Sequence, residues 1–262
     1  MKSPIKWMGG KNRSVDLILS IIPDHYTYVE PFLGAGWILF GKYKSNVEII
    51  NDINGDLINF FEIIRTSYEE FIKRMDLTLK SKQLFMEYRE TMSDKSLSSL
   101  ERAFRFYYVN QNAFGGLIRY NSKGICNSPY MRHPKRKPGG TYWDLDKIYL
   151  AHDRLKDVSI EQDDYKIIIN KYDTSTTLFF LDPPYECRSG KYNGKTTFDY
   201  NELLNKCRSI KGKFILTLNS ELENKFKEFY IIPNDVHYSI GCTSKSNKKY
   251  KEIIVTNYKI NK

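Results

Sequence analysis

The apolar segment that ends in Asp182 constrains the fold of this chain most strongly. Residues 178–181, LFFL, form a continuous apolar run, which is typical of a strand buried on both faces of a sheet. Pro183 and Pro184 follow, and because proline lacks a backbone N–H and has a restricted φ, they stiffen the loop that leaves the strand. The segment therefore delivers a carboxylate, and then the aromatic residue Tyr185, to the edge of a buried sheet.

Strand and helix patterns alternate on both sides of a long middle region. Residues 26–53 have the pattern strand, glycine turn, short helix and strand, in the segments YTYVEPF, LGAG, WILFGKYKS and VEIINDI. Residues 144–260 predict, in order, a helix (144–157), strands (158–165, 176–185), a helix (199–210), a strand (212–220), a helix (221–230) and a last strand (252–260). This alternation predicts an α/β fold with a parallel sheet. We expect one discontinuous domain, 1–56 plus 144–262, that is interrupted by an inserted domain, 57–143.

The inserted region has two parts of different composition. Residues 55–110 carry apolar residues at helical spacing and predict amphipathic helices. Residues 111–142 are rich in Gly, Asn, Ser, Pro, Lys and Arg, and predict a loop or hairpin too polar to belong to the core. The net charge of +10, together with 20 Tyr and 15 Phe, favours a nucleic-acid partner, although a lysine-rich composition for solubility would also give this charge.

Several classes of protein are disfavoured by the sequence. No apolar run approaches the roughly 20 residues of a membrane helix, and the N-terminus lacks an apolar signal-peptide core. The four cysteines are widely spaced and contain no C-x-x-C pair, so we expect reduced thiols and neither a disulfide scaffold nor a zinc site. These features predict a cytosolic protein.

The first strand is followed by Gly34 and Gly36, which let the backbone approach a ligand at the carboxyl edge of the sheet, or simply form a tight turn. The third glycine of G-x-G-x-x-G and a phosphate-binding loop are both missing, which favours a nucleoside without a pyrophosphate. Asp52 ends the second strand, where a carboxylate can accept both hydroxyls of a ribose. Its alternative role is to cap the helix that follows.

The sequence DPPY, residues 182–185, fits the recognition of an exocyclic amino group. The Asp182 carboxylate and the Pro183 carbonyl are two fixed acceptors, and such an amine offers two N–H donors. Tyr185 supplies a flat face for the base that carries the amine. The alternative is a rigid turn with a helix-capping acid.

These motifs, in this order, resemble the Dam-like, D12-class N6-adenine DNA methyltransferases of the α group. The matching segments are KWMGGK (6–11), VEPFLGAG (29–36), NDIN (51–54), DPPY (182–185), GKFILTLNS (212–220) and EIIVTNY (252–258). The resemblance implies a Rossmann-like class I methyltransferase sheet, mostly parallel with the last strand antiparallel, and an inserted target-recognition domain of helices and a basic hairpin. It also implies S-adenosylmethionine as the methyl donor, S-adenosylhomocysteine as its product, and no metal.

The resemblance assigns roles to individual positions. The cofactor residues it implies are Trp7, Lys11, Phe32, Gly34, Gly36, Asp52, Asp164, Tyr165 and Asp182, with Asp163 as the alternative to Asp164. The catalytic residues it implies are Asp182, Pro183, Pro184 and Tyr185, which would hold the target adenine. Hydrogen bonds to its amino group would draw N6 toward sp³ geometry for a direct in-line attack on the methyl group, after the base has left the duplex.

The DNA-reading region resembles the Dam hairpin R-[YFV]-N at Arg119, Tyr120 and Asn121. The continuation departs from the Dam pattern at Cys126 and Ser128, so a GATC-like target and a different one both stay open. The DNA-binding residues expected are Arg119, Tyr120, Asn121, Lys123, Arg132, Lys135 and Arg136. Of these, Arg132, Lys135 and Arg136 are expected as phosphate contacts or as a solvated loop.

The resulting hypothesis is a site-specific methyltransferase acting on adenine N6 in duplex DNA. A methyltransferase acting on RNA adenine or on cytosine N4 would also bind an exocyclic amino group with a DPPY motif, although the usual cytosine-N4 motif S-P-P-[YW] is absent. A binding module without turnover is a third reading. Expected partners are double-stranded DNA and, as a further candidate, a cognate restriction endonuclease. We expect a monomer or weak dimer, without membrane association, in the cytoplasm of a prokaryote or in a virus-infected cell.

Overall fold

A mostly parallel sheet forms the centre of the molecule. The computed structural model describes residues 1–7, 9–116, 118–121, 125–131, 143–184, 198–237 and 249–260. Within these ranges seven strands form one sheet: β1 (Thr27–Glu30), β2 (Val47–Asn51), β3 (Val158–Glu161), β4 (Thr177–Leu181), β5 (Lys213–Asn219), β6 (Tyr230–His237) and β7 (Lys249–Thr256). The order across the sheet is β3-β2-β1-β4-β5-β7-β6, and β7 runs antiparallel to both its neighbours. The predicted α/β fold with an antiparallel last strand is confirmed.

Helices flank the sheet and fill the interval between β2 and β3. In the described residues they are α1 (Val15–Ser20), α2 (Trp37–Gly41), α3 (Gly55–Thr66), α4 (Tyr68–Asp76), α5 (Lys82–Thr91), α6 (Ser99–Asn112), α7 (Leu145–Leu155), α8 (Tyr165–Tyr172) and α9 (Tyr200–Ser209). Two short 3-10 helices span Phe114–Gly116 and Ser220–Lys225. The helices α3 to α6 confirm the helical prediction for residues 55–110.

The strand order reverses between β1 and β4. From β1 the chain continues to β2 on one side, and from β4 it continues to β5 on the other. Thr27 is paired with Thr177 and Val29 with Phe179, so the carboxyl ends of the two strands lie side by side. Such a switch point leaves a crevice at the carboxyl edge of an α/β sheet, where ligands bind.

Both faces of the sheet are buried. Every residue of β4 is buried, as its continuous apolar run predicted. One face packs against α8 and α9, with Phe179 and Leu181 of β4 in that cluster. The other face packs against α3, α6 and α7 in a second cluster, where Phe60 of α3 stacks on Tyr107 of α6 at 5.6 Å. The helices of the inserted region thus share a core with the sheet, and the boundaries 57–143 for a separate domain stay a prediction.

Three elements differ from the sequence prediction. The strand expected over 158–165 ends at Glu161, and Tyr165 begins the unpredicted helix α8. The helix expected over 221–230 is instead a 3-10 turn, Ser220–Lys225, followed by the unassigned strand β6. Pro233 lies inside β6 and obscures its pattern, yet proline is tolerated there because β6 is the edge strand of the sheet.

The polar region after α6 forms a hairpin, which we call the 113–131 hairpin. Ala113 is bridged to Tyr130, and Tyr120 to Cys126, both in antiparallel fashion. The expectation that this region is too polar for the core is wrong in part, because Ala113, Cys126 and Ser128 are buried. No helix in the described ranges is long and apolar enough to cross a membrane.

Candidate active site

The Asp182 carboxylate lies directly beyond the end of β4, at the switch point. Its Oδ1 atom accepts a hydrogen bond of 2.7 Å from the Thr217 hydroxyl on β5 and lies 2.9 Å from the Lys11 ammonium. The Asp182 side chain is 20% exposed. Because both contacts found among the described residues use Oδ1, that oxygen is fixed, and Oδ2 is left as an acceptor for a substrate.

Lys11, a predicted cofactor residue, contacts the Asp182 carboxylate. Its side chain is 3% exposed, and its ammonium lies 2.9 Å from Asp182 Oδ1, 3.2 Å from the Gly9 carbonyl and 3.9 Å from Glu252 Oε2. A buried charge is tolerated only when it is paired and hydrogen-bonded. The ammonium therefore bridges the end of β4 and the strand β7, and it compensates the charge of Asp182.

The two prolines after Asp182 are held by α9. Pro183 is buried, and the Pro184 carbonyl accepts a hydrogen bond of 2.7 Å from the Tyr200 hydroxyl at the start of α9. The ring of Tyr200 packs edge-on against Phe198 at 5.1 Å. The hydrogen bond from Tyr200 thus fixes the backbone at Pro184, within the motif predicted to hold the target adenine. Tyr185, the last residue of the motif, lies outside the described residues.

The glycine turn after β1 is covered by Trp7. Gly34 and Gly36 have φ values of 49° and 67°, in the left-handed region that favours glycine. A Cβ atom on Gly34 would lie 2.9 Å from Cδ1 of Trp7, so only glycine lets the indole pack this closely. The structure therefore brings together two of the predicted cofactor residues.

Asp52 is bound to the same turn. Its two carboxylate oxygens accept backbone N–H bonds of 2.9 Å, Oδ2 from Gly34 and Oδ1 from Asn54. Burial raises the pKa of Asp52 to about 6, against the opposing effect of these hydrogen bonds. The cap of α3 is Asn54, whose side chain accepts from Asp56 and Leu57, so the alternative role of Asp52 as that cap is excluded.

Asn51 is a site residue that the sequence reasoning missed. Its buried side-chain amide donates to the Pro31 and Asp163 carbonyls, both at 2.9 Å, and its Oδ1 accepts from the Asp163 N–H at 2.7 Å. One amide thus joins the ends of β1, β2 and β3. The available signal was a polar amide directly after the two apolar residues Ile49 and Ile50 of β2.

Aromatic rings line the next part of this edge. Phe32 lies 5.0 Å from Tyr165 and 5.8 Å from Phe198, measured between ring centroids. The buried Tyr165 hydroxyl has no hydrogen-bond partner among the described residues, and burial raises its pKa. Asp164 caps α8 by accepting from the Lys166 N–H, and its side chain is 45% exposed. A polar group of a ligand placed here would meet an unused hydroxyl.

Glu30, inside the VEPF segment, is a second buried carboxyl that the sequence reasoning did not single out. It accepts a hydrogen bond of 2.9 Å from the Tyr28 hydroxyl and one of 3.2 Å from the Leu39 N–H. Burial, with a contribution from the nearby charge of Asp182, raises the pKa of Glu30 to about 8. Burial therefore favours the neutral form of Glu30, which carries no negative charge.

The predicted DNA-binding residues are distributed unevenly. The Arg119 side chain is exposed, whereas Tyr120 donates its hydroxyl hydrogen to Asp56 at 3.0 Å. The Asn121 side chain accepts a hydrogen bond of 3.0 Å from the Ile125 N–H, on the opposite arm of the hairpin. Tyr120 and Asn121 thus hold the hairpin, and among these three described residues Arg119 is the one whose side chain is exposed. Other predicted DNA contacts lie outside the described residues: Lys123, Arg132, Lys135 and Arg136.

The two departures from the Dam hairpin pattern lie against each other inside the hairpin. The Cys126 sulfur is 3.3 Å from the Ser128 hydroxyl, which also accepts a hydrogen bond of 2.9 Å from the Arg119 N–H. The Ser128 carbonyl accepts from the Arg89 guanidinium of α5 at 3.3 Å. A polar pair therefore fixes the backbone from which Arg119 projects.

The mostly parallel sheet, its antiparallel last strand and the residues at the β1–β4 edge define a class I methyltransferase fold. The chain matches the family of D12 class N6 adenine-specific DNA methyltransferases over residues 7–261, and it belongs to that family. Its activity is adenine-specific DNA methylation, and this family membership implies S-adenosylmethionine as the methyl donor.

Relatives of this chain cover most of its length. It is 30% identical to the type II methyltransferase M1.LlaDCHI of Lactococcus lactis subsp. cremoris, over 97% of this chain and 94% of that protein. It is 27% identical to the type II methyltransferase M.MjaIII of Methanocaldococcus jannaschii, over 77% and 76% respectively. It is 29% identical to the DNA adenine methylase of Escherichia coli K12, over 72% and 66%.

Proposed function

We propose that this protein methylates N6 of an adenine that leaves the DNA duplex and is held by Asp182 and the Pro183 carbonyl. The observation that carries the proposal is the fixed carboxylate at the switch point. Oδ1 of Asp182 is held by Thr217 and Lys11, which leaves Oδ2 to accept one amino hydrogen. The Pro183 carbonyl follows in the chain and is the proposed acceptor of the second hydrogen.

The residues at the β1–β2 side of the edge fit S-adenosylmethionine. Each oxygen of Asp52 already accepts one backbone N–H, and a carboxylate has about four acceptor positions, so both can also accept ribose hydroxyls. The unused Tyr165 hydroxyl and the rings beside it suit an adenine ring. The residues proposed to hold the cofactor are Trp7, Phe32, Gly34, Gly36, Asp52, Asp164 and Tyr165, with Lys11 and Asp182 at the methyl side. When bound, S-adenosylmethionine supplies an electrophilic methyl group.

The protein's own contribution to the reaction is positioning and hydrogen bonding. Adenine N6 is a poor nucleophile because its lone pair is delocalised into the ring. Two fixed acceptors draw N6 toward tetrahedral geometry and expose that lone pair, with the largest effect as positive charge develops on the nitrogen. The Asp182 carboxylate would stabilise this charge while the N6–methyl bond forms and the sulfur–methyl bond of the donor breaks, which leaves neutral S-adenosylhomocysteine. The surplus N6 proton would then pass to water, which restores the neutral amine. A covalent enzyme intermediate is not required.

DNA binding is proposed for the 113–131 hairpin and the region that follows it, within the recognition domain predicted at 57–143. The exposed Arg119 side chain is suited to guanine O6 and N7. Tyr120 and Asn121 support it by fixing the hairpin. Removing the adenine from the stack costs a few kcal/mol, roughly, which these contacts must offset. The type II relatives favour a cognate restriction endonuclease as a further partner, and the proposed state is a monomer or weak dimer.

The test is transfer of a labelled methyl group from S-adenosylmethionine to duplex DNA, single-stranded DNA and RNA, followed by digestion to nucleosides. We expect N6-methyladenine from duplex DNA. Products in RNA, or N4-methylcytosine, would instead support the alternative enzyme classes. Asp182→Ala is expected to abolish transfer while cofactor binding stays measurable, and the exposed acid variant Asp157→Ala serves as its control. A folded Asp182→Ala variant with the wild-type rate would refute the assigned role.

A further inference from the structure

We call residues 3–11 the N-terminal segment. A buried side-chain amide on α6 binds both the backbone N–H and the carbonyl of one residue of this segment. Asn110 has no exposed surface. Its Oδ1 atom accepts a hydrogen bond of 3.1 Å from the Lys6 N–H, and its Nδ2 atom donates to the Lys6 carbonyl at 2.6 Å. The same Nδ2 donates to the Gly116 carbonyl at 3.1 Å. One side chain therefore ties residue 6 to the root of the 113–131 hairpin.

Other contacts place the same segment along α6. The Gln111 amide donates to the Pro4 carbonyl at 3.3 Å, and the Trp7 ring lies 6.2 Å from the Phe106 ring. Gly116 lies so close to Lys6 that a Cβ atom on the glycine would be 2.3 Å from the Lys6 Cβ. The hairpin root and the N-terminal segment are thus in direct van der Waals contact, with no space for a side chain between them.

The N-terminal segment continues from this contact into the active site. Trp7, the residue after Lys6, covers the Gly34 turn that Asp52 also holds. Lys11 lies further along the same segment, and its ammonium is 2.9 Å from Asp182. A shift of the backbone at Lys6 would therefore move groups at both the cofactor turn and the catalytic carboxylate.

We propose that Asn110 is a positioning residue for methyl transfer: it couples the seating of DNA on the 113–131 hairpin to the placement of Lys11 against Asp182. This inference rests on the proposed function, since it takes the hairpin as the DNA-reading element and Asp182 as the amine acceptor. Asn110 is buried and does not touch the substrate. Asn110 acts by keeping the N-terminal segment, and with it Lys11, in position when the hairpin binds a duplex.

The test compares Asn110→Ala with Asn59→Ala, a matched control. Asn59 is also buried, on α3, and its amide donates to the Ser99 carbonyl of α6 at 2.9 Å, so its loss removes a partly buried hydrogen bond between helices of the same core. The measurements are the single-turnover methylation rate on saturating unmethylated plasmid DNA, the affinity for that DNA, and the melting temperature.

We expect the single-turnover rate of Asn110→Ala to fall about tenfold or more, because a misplacement on the order of 1 Å can cost about 100-fold. Its DNA affinity should change by less than about threefold, since no proposed DNA contact is removed. Asn59→Ala should keep the wild-type rate at a temperature where it is folded. A wild-type rate in Asn110→Ala, or equal losses in both variants, would overturn the inference.

Hydrogen exchange of the wild-type protein keeps the inference testable if Asn110→Ala does not fold. Adding plasmid DNA in the presence of S-adenosylhomocysteine should slow exchange in the hairpin and also in residues 3–11. Slower exchange in the hairpin alone would contradict the coupling. These results are separable from the proposed function: a wild-type enzyme that forms N6-methyladenine while both coupling tests fail leaves the function intact and removes only the role of Asn110.

Discussion

The protonation of Asp52 should set the pH dependence of cofactor affinity. Burial raises the pKa of Asp52 to about 6, although both oxygens accept backbone N–H bonds. Ribose hydroxyls donate hydrogen bonds, so they bind the ionised carboxylate better than the protonated acid. Affinity should therefore increase as the pH rises through 6 and level off above 7.

The magnitude follows from the ionised fraction. With a pKa of about 6, roughly one tenth of the Asp52 side chains are ionised at pH 5 and roughly nine tenths at pH 7. Binding that requires the ionised form is then about tenfold weaker at pH 5 than at pH 7. The stability of the free protein should change with pH in the opposite direction to the cofactor affinity. Because the native pKa of Asp52 is raised, this group lowers the free energy of unfolding as the pH rises from about 4 to about 6.

The assay is isothermal titration calorimetry with S-adenosylhomocysteine from pH 5 to pH 8, with melting temperatures of the free protein over the same range. Asp52→Asn keeps the size of the side chain but cannot ionise, so its affinity should be low and flat with pH. A wild-type affinity that does not change between pH 5 and 7, or an Asp52→Asn variant that keeps the slope, would refute this reasoning.

Two further variants address the groups around Asp182. Glu30→Gln can still accept from Tyr28 and Leu39 at the same oxygen, and should remove a pH-dependent loss of stability. Because the native pKa of Glu30 is raised from 4.5 to about 8, wild-type unfolding free energy should fall as pH rises through this interval, by up to about 5 kcal/mol, and the variant should show a flatter curve in urea titrations. Thr217→Val removes the hydroxyl that holds Oδ1 of Asp182, and should lower kcat by about tenfold to 100-fold with little change in KM for DNA, since a hydrogen bond to a charged group contributes about 1.5–3 kcal/mol. An unchanged kcat would show that Lys11 alone orients Asp182.

The sequence permits prediction of where the site lies, because the site residues follow directly after predicted strands. The apolar run before Asp182 and the glycines before α2 each follow from local composition, and the parallel topology then brings them to one edge. The contacts of Lys11 with Asp182 and of Asn110 with Lys6 could not be predicted, because no local pattern encodes pairs so distant in the chain. Helix α8 was missed because its isoleucine run also suits a strand.

The placement of Asp52 was predictable, but its protonation was not. Its position after β2 follows from the sequence, whereas its raised pKa depends on burial by the folded chain. Similarly, the departures at Cys126 and Ser128 suggested a change in target recognition, and only the structure shows them in contact inside the hairpin. The sequence therefore shows which functional groups are present. Packing in the folded chain determines their protonation and their contacts.

The most direct measurement is a crystal structure of the protein with S-adenosylhomocysteine and a duplex whose target adenine has been located by sequencing modified DNA. We expect the adenine outside the duplex, with N6 about 2.9 Å from Oδ2 of Asp182 and from the Pro183 carbonyl, the usual length of such hydrogen bonds. An adenine that stays paired in the duplex, or an N6 atom held by other acceptors beyond hydrogen-bond reach of Asp182, would contradict the proposed mechanism.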